Sequence, residues 1–439
     1  MAEPDFSPIK PPLTTDHALV EANRCLYCYD APCMRACPTH IDVPEFIRRI
    51  ATRNTTGAAK VILESNILGS SCARVCPTEV LCEGACVYHG LEMPAIDIGR
   101  LQQYATDHVI DNNIKVFEPA PRRATGSVAV VGGGPAGLAC AAEVSRAGYR
   151  AVVFEASSEA GGLNRHGVAP YKLTNEEARA EVGYIKALTG FELRTGVRVG
   201  KDVSIAQLEK EFDAIFLGVG MGGTRSLRIA GEDLTGVIGA TEFIEALRNR
   251  PFRDTKVGRR VAVIGAGNTA IDAATESVRL GAEEVTIVYR RGPEEKPCYD
   301  HEYELALGDT VRFLWHTQPV AIVGNGHVTG LRCQKMAPGS ADASGRPAPV
   351  PVAGSDFELA VDMVIKASGQ SPHEELFSQI FGLKVEKGRV ATHDGYRTSN
   401  PRYFSGGDCV SGGQEVVNAV AEGKAAGLAI IQYLQSKGA

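Results

Sequence analysis

Eight of the twelve cysteines fall before residue 90, in two groups: Cys25-x2-Cys28-x4-Cys33-x3-Cys37-Pro38 and Cys72-x3-Cys76-Pro77-x4-Cys82-x3-Cys86. Closely spaced thiols of this kind, once deprotonated, wrap a soft metal or an iron-sulfur cluster. Each group holds a Cys-Pro pair, where the chain turns away and the sulfur often ligates the other cluster of a pair. Zinc ribbons prefer two separated C-x2-C knuckles; only one C-x2-C is present, so iron-sulfur chemistry is favoured over structural zinc. Disulfides account for the pattern poorly. The chain opens MAEPDFSPIKPPLTTD, with no basic-then-apolar leader, so a reducing cytoplasm is the expectation. Counting thiols alone gives two four-cysteine cages. Cys140, Cys298, Cys333 and Cys409 are scattered over the remainder, and Cys140 is expected to serve packing.

Two glycine-rich turns carry a second kind of chemistry. Gly132-x-Gly134-Pro135-Ala136-Gly137 sits between a strand-like and a helix-like run. Its glycines allow a tight turn, close backbone approach to a pyrophosphate and close helix-strand packing, with the helix N-terminus facing the anion. Glu155 ends the next strand eighteen residues after Gly137, where a carboxylate suits a ribose diol. Gly161-Gly162-Leu163 follows as in two-dinucleotide flavoproteins, and Gly407-Asp408 resembles their flavin ribityl-binding turn, so FAD is expected here. For Asp408, a plain helix N-cap is the alternative. The second turn, Gly265-x-Gly267-Asn268-Thr269-Ala270, ends its fingerprint in the permitted alanine. Its second strand runs into Arg290 and Arg291 instead of an acid. A guanidinium pair suits a ribose 2′-phosphate, so NADPH is expected ahead of NADH, with a solvated basic turn as the alternative.

These residues need elements beneath them. At 439 residues the chain is long enough for two to four domains, and 44% hydrophobic with 22% charged residues is ordinary for a globular protein. A net charge of -6 gives no footprint for nucleic acid. The most apolar segment, Val128 to Val144, is interrupted by three consecutive glycines and a proline, so no membrane span is expected. Residues 1–120 show little strand character and helical spacing over Glu45–Glu64 and Ile98–Asn112; the stretch Phe117–Gly126 reads as a linker. Beyond it, short Val/Ile/Ala runs end in glycines and lead into helix-like segments, the texture of parallel strands with crossover helices. Further strands are expected within Asp213–Gly220, Asp362–Gly369 and Arg402–Asp408, and a helix over Glu415–Leu434. The order of flavin fingerprint, nicotinamide fingerprint and flavin turn implies that one nucleotide domain is inserted into the other. The expected fold is an α/β two-dinucleotide-binding flavoprotein reductase of doubly wound domains, preceded by a mainly helical iron-sulfur domain. Its boundaries are placed at 1–120 for the clusters, 121–250 with 369–439 for FAD, and 251–368 for NADP(H). Hydride transfer between nicotinamide and flavin needs stacking geometry and no acid-base residue, which suits the lack of a catalytic triad. His301 beside Glu302 is expected in a surface or core role.

The segment RCLYCYDAPCMRACPTHIDVPEF (Arg24–Phe46), continuing through the second cysteine group to IDIGRLQQYATD (Ile96–Asp107), resembles the N-terminal domain of dihydropyrimidine dehydrogenases. The resemblance implies two 4Fe-4S clusters, one held by Cys25, Cys28, Cys33 and Cys86, the other by Cys37, Cys76, Cys82 and Gln102, with Cys72 a spare thiol. An amide donates less than a thiolate and carries no charge, so the two potentials should differ. A solvated helix residue is the alternative for Gln102, and Cys72 is the rival ligand. The three-part plan is also similar to the small subunit of glutamate synthase, whose N-terminal signature usually lacks the APC and IDIGRLQ segments. One departure from the relatives is YKLT (Tyr171–Thr174), which has Lys172 where they commonly have arginine. The implied function is that of an NAD(P)H-dependent electron-input subunit: hydride to FAD, then electrons through the clusters to an FMN-containing partner that interconverts uracil or thymine and the 5,6-dihydropyrimidine. A glutamate synthase small subunit, or a ferredoxin-type NADPH oxidoreductase, is the alternative. The FMN barrel of the fused enzymes takes about 250 residues, for which no room follows, so a separate catalytic partner is expected.

Overall fold

The computed structural model describes residues 5–118, 120–123, 125–342 and 345–438. Six helices form the cysteine-rich part: α1 (Thr15–Arg24), α2 (Pro32–Ala36), α3 (Val43–Ala51), α4 (Thr55–Ser65), α5 (Gly69–Val75) and α6 (Ile98–Asp111). The helical spacing over Glu45–Glu64 thus resolves into two helices. Arg53 turns into the left-handed region at φ 62°, and the Asn54 side chain accepts from Gly57 N at 2.9 Å, ending one helix and capping the next. The linker expected over Phe117–Gly126 includes Pro119 and Ala124, which lie outside the described residues.

The chain continues through β1 (Ser127–Val131), α7 (Pro135–Arg146), β2 (Arg150–Phe154), α8 (Leu163–His166), α9 (Asn175–Thr189), β3 (Glu192–Arg194), α10 (Ile205–Glu211) and β4 (Ala214–Leu217). Next come β5 (Val237–Gly239), α11 (Ala240–Arg248), β6 (Arg260–Ile264), α12 (Asn268–Arg279), β7 (Glu284–Val288), α13 (Asp300–Gly308) and β8 (Arg312–Leu314). Strands β9 (Thr317–Gly324), β10 (Val328–Ala341), β11 (Pro347–Pro351) and β12 (Phe357–Leu359) lead to β13 (Met363–Lys366) and α14 (Glu374–Phe377). The last stretch holds β14 (Val385–Glu386), β15 (Arg389–Val390), β16 (Thr392–His393), β17 (Arg397–Thr398), β18 (Tyr403–Ser405), α15 (Asp408–Ser411) and α16 (Val416–Ser436).

Two compact units result. One comprises residues 8–165, 172–221 and 372–439; the other comprises 1–7, 166–171 and 222–371. In the first, a seven-stranded sheet runs β16-β17-β18-β4-β1-β2-β3, parallel from β18 to β3. Its apolar core is continuous with that of α1–α6: Phe46, Ile47 and Leu63 belong to the same cluster as Val128, Phe216 and Ile430. In the second unit, five parallel strands run β5-β13-β6-β7-β8, and an antiparallel sheet of β9, β10, β11 and β12 accompanies them. The edge expected at 250/251 falls earlier. Strand β5 hydrogen-bonds to β13 and Phe243 of α11 packs into the second core, so the main segment of this unit begins at Gly222. Three residues of β5 are too few to declare by pattern which sheet they join. Among the described residues, no helix is long and apolar enough to cross a membrane.

Close approach of α16 to α7 holds the flavin-type turns together. A Cβ at Gly423 would lie 2.0 Å from the Ala136 carbonyl oxygen, and one at Gly427 would lie 2.9 Å from Glu143 Cβ. Backbone cannot yield as a side-chain tip can, so Gly423→Ala should destabilise by about 3 kcal/mol. Gly183→Ala, at an exposed position of α9 where a Cβ meets nothing within 4 Å, should instead be neutral or stabilising. Thermal unfolding of the two variants checks the contrast; equal melting temperatures would refute the close-packing account.

Candidate functional site

Cys25, Cys28, Cys33 and Cys86 line one cavity, with Ala31, Ile47 and Tyr88 among its walls. Cys25 closes α1, its N–H bonded to the Ala22 carbonyl at 3.3 Å; Cys33 lies in α2. Between them Tyr27 bends the chain at φ 51°. The Tyr88 hydroxyl donates to the Arg24 carbonyl at 2.5 Å, which ties the segment after Cys86 to the end of α1. The structure thus brings together the four residues of the first implied ligand set, although about fifty residues of chain separate Cys33 from Cys86.

The remaining four cysteines of this region form a second group. Cys37 closes α2, Cys72 is buried within α5, Cys76 closes α5, and Cys82 follows in the next turn. A hydrogen bond with Cys72 comes first among the causes that hold the Cys76 thiol well above its usual range, followed by burial and the nearby sulfurs of Cys82 and Cys37. Gln102 is buried on α6, and its amide nitrogen donates to the Gly69 carbonyl at 2.6 Å. A solvated helix position is therefore excluded for Gln102, and an amide held by its nitrogen offers its oxygen as the donor atom. Cys72, in contact with Cys76, stays a competing ligand.

The thiol chemistry fits a bound metal cluster. Burial pushes the Cys33 thiol up to about 12, and it also raises Cys25 and Cys82. Thiolates in such surroundings need compensating positive charge, which iron supplies. All twelve cysteines are free thiols. Among the described residues, no three His, Cys, Asp or Glu side chains converge on the position of a single ion; Cys25, Cys28, Cys33 and Cys86 instead surround a space.

The flavin-type site is built at the ends of β1 and β2. Gly132 takes φ 103°, and a Cβ there would strike the Gly218 carbonyl oxygen at 2.4 Å, so no other residue fits this turn. A Cβ at Gly137 would lie 1.9 Å from the Gly132 carbonyl oxygen, which seats α7 against the turn. Helix α7 starts at Pro135, has no side-chain cap, and so keeps its first-turn N–H groups for an anion. Gly161 N donates to Gly133 O at 2.8 Å, and a Cβ on Gly162 would come within 2.8 Å of Gly134 Cα; Leu163, next in line, is exposed. Gly407 lies beside Ala136, its N–H held by the Glu422 carboxylate at 2.5 Å. Gly407, not Asp408, is the N-cap of α15, and Asp408 accepts from Gln414 N at 3.3 Å. Burial raises both Asp408 and Glu422, and the like charge of Asp408 adds to the effect on Glu422. The capping role weighed for Asp408 is thus not what the structure places there.

A cleft of about 300 Å³ opens from Gly132 past Glu155 to Val197–Lys201 and to His373 and Gln379. Glu155 accepts from Gly133 N at 2.8 Å and from Ser157 N at 2.7 Å, one bond on each oxygen. Each oxygen keeps a lone pair for a ribose hydroxyl, so the residues present fit an adenosine-diphosphate ligand. Burial lowers His373 at the far wall, which favours a neutral ring there. Glu155→Ala should leave the chain folded and lower FAD per chain at least about tenfold at limiting FAD, since a charge-assisted pair of bonds is lost. Flavin absorbance after gel filtration measures this, and full retention of FAD would contradict the placement.

The second nucleotide site lies in the other unit. A cavity of about 460 Å³ is lined by Gly265, Gly267, Tyr289, Arg290, Pro297 and Ser368, among others. Helix α12 begins at Asn268 without a side-chain cap; the Asn268 oxygen accepts from Tyr299 N at 3.2 Å, Thr269 is exposed and Ala270 is buried. The arginine pair is split. Arg290 is exposed at the cavity, whereas Arg291 is buried, with Nη2 2.5 Å from Asp342 and Nε donating to the Pro347 carbonyl at 3.1 Å. The long strand β10 brings Asp342 to Arg291, and nothing in the sequence near Arg291 announces that partner. His301 lies 3.8 Å from Glu302 and stacks on Tyr299.

The wall residues Val197–Lys201, His373 and Gln379, and the Glu422 brace, were not foreseen. They belong to loops and a helix interior without a fingerprint, and only Gly423-x3-Gly427 in an apolar helix signals that α16 packs closely on something.

Comparison with known proteins adds to this geometry. Residues 2–114 match the family described as dihydropyrimidine dehydrogenase domain II, 4Fe-4S cluster, and residues 126–423 match pyridine nucleotide-disulphide oxidoreductase. The chain is 34% identical to the NAD-dependent dihydropyrimidine dehydrogenase subunit PreT of Salmonella typhimurium, over 98% of its length and 96% of the relative's. It is also 34% identical to the glutamate synthase [NADPH] small chain of Escherichia coli, over 98% of its length and 94% of that chain. Among solved structures, Mycobacterium tuberculosis FprA in complex with NADPH aligns with a TM-score of 0.59 at 22% identity, covering 72% of this chain and 85% of that one. Thioredoxin reductase from T. acidophilum aligns with a TM-score of 0.55 at 20% identity, covering 71% of this chain and all of its own. The family matches and the solved structures together establish the fold: a helical 4Fe-4S domain followed by a two-dinucleotide reductase.

Proposed function

This chain belongs to the pyridine nucleotide-disulphide oxidoreductase family, among the FAD- and 4Fe-4S-carrying subunits that include dihydropyrimidine dehydrogenase subunits and glutamate synthase small chains, and from that premise we propose that it is the electron-input subunit of a dihydropyrimidine dehydrogenase. Its general chemistry is NAD(P)H-dependent flavin reduction with onward electron transfer through a 4Fe-4S domain. When bound, FAD accepts hydride from the nicotinamide and the clusters carry its electrons singly. The observation that carries the reading is that the thiol-lined sites and the flavin-type cleft share one compact unit.

Within that scheme each residue has a task. Gly132 and Gly134 let the backbone approach the FAD pyrophosphate, α7 presents its N–H groups to it, and Glu155 takes the ribose. Asp408 and the turn at Gly407, braced by Glu422, hold the ribityl side. Gly265, Gly267 and the start of α12 hold the second pyrophosphate, and Arg290 reads a 2′-phosphate, which favours NADPH. Cys25, Cys28, Cys33 and Cys86 hold one cluster, and Cys37, Cys76, Cys82 and Gln102 the other. The partner supported by the APC and IDIGRLQ segments is an FMN-containing subunit that interconverts uracil or thymine and the 5,6-dihydropyrimidine.

A second reading, the small subunit of glutamate synthase, rests on the equal likeness to that enzyme's small chain. Co-expression with the product of the adjacent gene separates the two. NADPH oxidation dependent on uracil is expected; turnover only with glutamine plus 2-oxoglutarate would replace the pyrimidine reading.

A further inference from the structure

Helix α5 carries Cys72 and ends at Cys76, yet its N-cap residue, Leu68, provides no side-chain cap. The missing acceptor comes from the flavin-binding part of the chain. Glu181 of α9 accepts from Ser70 N at 2.8 Å and Ser71 N at 3.0 Å with one oxygen, and from the Ser71 hydroxyl with the other. Only 2% of Glu181 is exposed. The carbonyl of Gly69, in the same turn, receives the Gln102 amide at 2.6 Å. The face of α6 that bears Gln102 lies along α5, because Gly99 sits against the Ala73 carbonyl and Thr106 against Gly69.

Other contacts fix the same corner. Lys424 of α16 donates to the Glu64 and Ser65 carbonyls at the end of α4, at 2.7 and 3.1 Å. Arg74, buried in α5, bonds Glu177 of α9 at 2.9 Å and Asp107 of α6 at 2.8 Å. A cation thus meets the carbonyl end of α4 and a carboxylate meets the amide end of α5, each with the sign that the helix dipole favours.

We propose that Glu181 is a positioning residue for the cluster of Cys37, Cys76, Cys82 and Gln102: it fixes the first turn of α5, and through the Gly69 carbonyl it orients the Gln102 amide. The inference rests on the proposed ligand set for that cluster. It assigns the flavin-binding domain a part in setting the redox properties of the cluster, through a buried carboxylate that no ligand motif marks.

Glu181→Gln keeps an oxygen for the two backbone N–H groups and removes the charge, so the chain should fold and both clusters should assemble. At about pH 8, above the value of about 7 to which burial raises Glu181, loss of a nearby negative charge favours the reduced cluster. Mediated redox titration followed by electron paramagnetic resonance should show the midpoint of one cluster moving upward in Glu181→Gln, with the other cluster and the FAD content unchanged. Glu181→Ala, which also removes the acceptor, should alter the spectrum of that same cluster. Wild-type spectra and potentials in both variants would overturn the proposal. Gln102→Ala and Cys72→Ser test the ligand reading separately. If Gln102→Ala leaves both clusters unaltered and Cys72→Ser removes one, the amide is not the ligand, and the part of the proposal that runs through Gln102 falls with it. The Glu181 variants still decide whether the turn matters, since Cys72 and Cys76 ride on α5.

Discussion

Cys33→Ser should lower the iron of the purified subunit from about eight to about four atoms per chain, with acid-labile sulfide falling in parallel. Cys25, Cys28, Cys33 and Cys86 surround a single cavity, so removing one sulfur leaves three corners for a four-iron cluster. A serine oxygen is a harder and poorer donor to iron than a thiolate. The flavin-type cleft is lined by residues of β1, β2, Val197–Lys201 and the α14 region, and it shares no lining residue with the Cys33 cavity. FAD content and NADPH-driven bleaching of the flavin should therefore persist, while reduction of a partner by way of the clusters is lost. Cys72→Ser, made in parallel, should keep all the iron. Full iron in Cys33→Ser, or zinc without sulfide in the wild type, would remove the basis for the two-cluster reading.

Arg290→Ala should lower kcat/KM for NADPH by about 10- to 100-fold and leave kcat/KM for NADH within about twofold, since a charge-assisted bond to phosphate contributes about 1.5–3 kcal/mol. Arg290 is the member of the arginine pair exposed at the cavity of the second fingerprint. Arg291→Ala should act otherwise. Its guanidinium is buried against Asp342 and the Pro347 carbonyl, so its loss should lower stability with little change in coenzyme preference. Asp342 is itself partly exposed, so the cost should be about 1–3 kcal/mol, below the 3–5 kcal/mol of a fully buried pair. Initial rates with both coenzymes, together with unfolding curves, separate the two arginines. Equal losses for NADPH and NADH in Arg290→Ala would mean that the residue does not read the 2′-phosphate.

Much of the fold was legible because its signals are local. A Gly132-x-Gly134-x-x-Gly137 turn between an apolar run and a helix pattern already contains the reason for each glycine, and β1 and α7 stand where that pattern places them. Strands β4, β13 and β18 and helix α16 likewise follow from short apolar runs and periodicity. What failed to show were features whose causes lie elsewhere in the chain. The break between α3 and α4 depends on one residue in a left-handed conformation, and the early start of the second unit depends on which sheet β5 joins. The antiparallel sheet of β9–β12 carries no nucleotide fingerprint to announce it, although Asp342 at the end of its long strand is what draws Arg291 away from the cavity.

The sequence by itself determined the chemistry that this protein is equipped for: eight front-loaded cysteines, two nucleotide turns and a flavin turn, since ligand type and turn conformation are properties of single residues and their near neighbours. Tertiary structure alone decided how those residues are grouped. It gathered Cys86 with three sulfurs some fifty residues or more earlier, buried Gln102 against Gly69, separated Arg290 from Arg291, and brought Glu181 across to a helix 110 residues away. The physical reason is that a thiol, an amide or a guanidinium can satisfy its bonding in many ways, and which partner it meets is fixed by the packing of helices and sheets that local sequence does not specify.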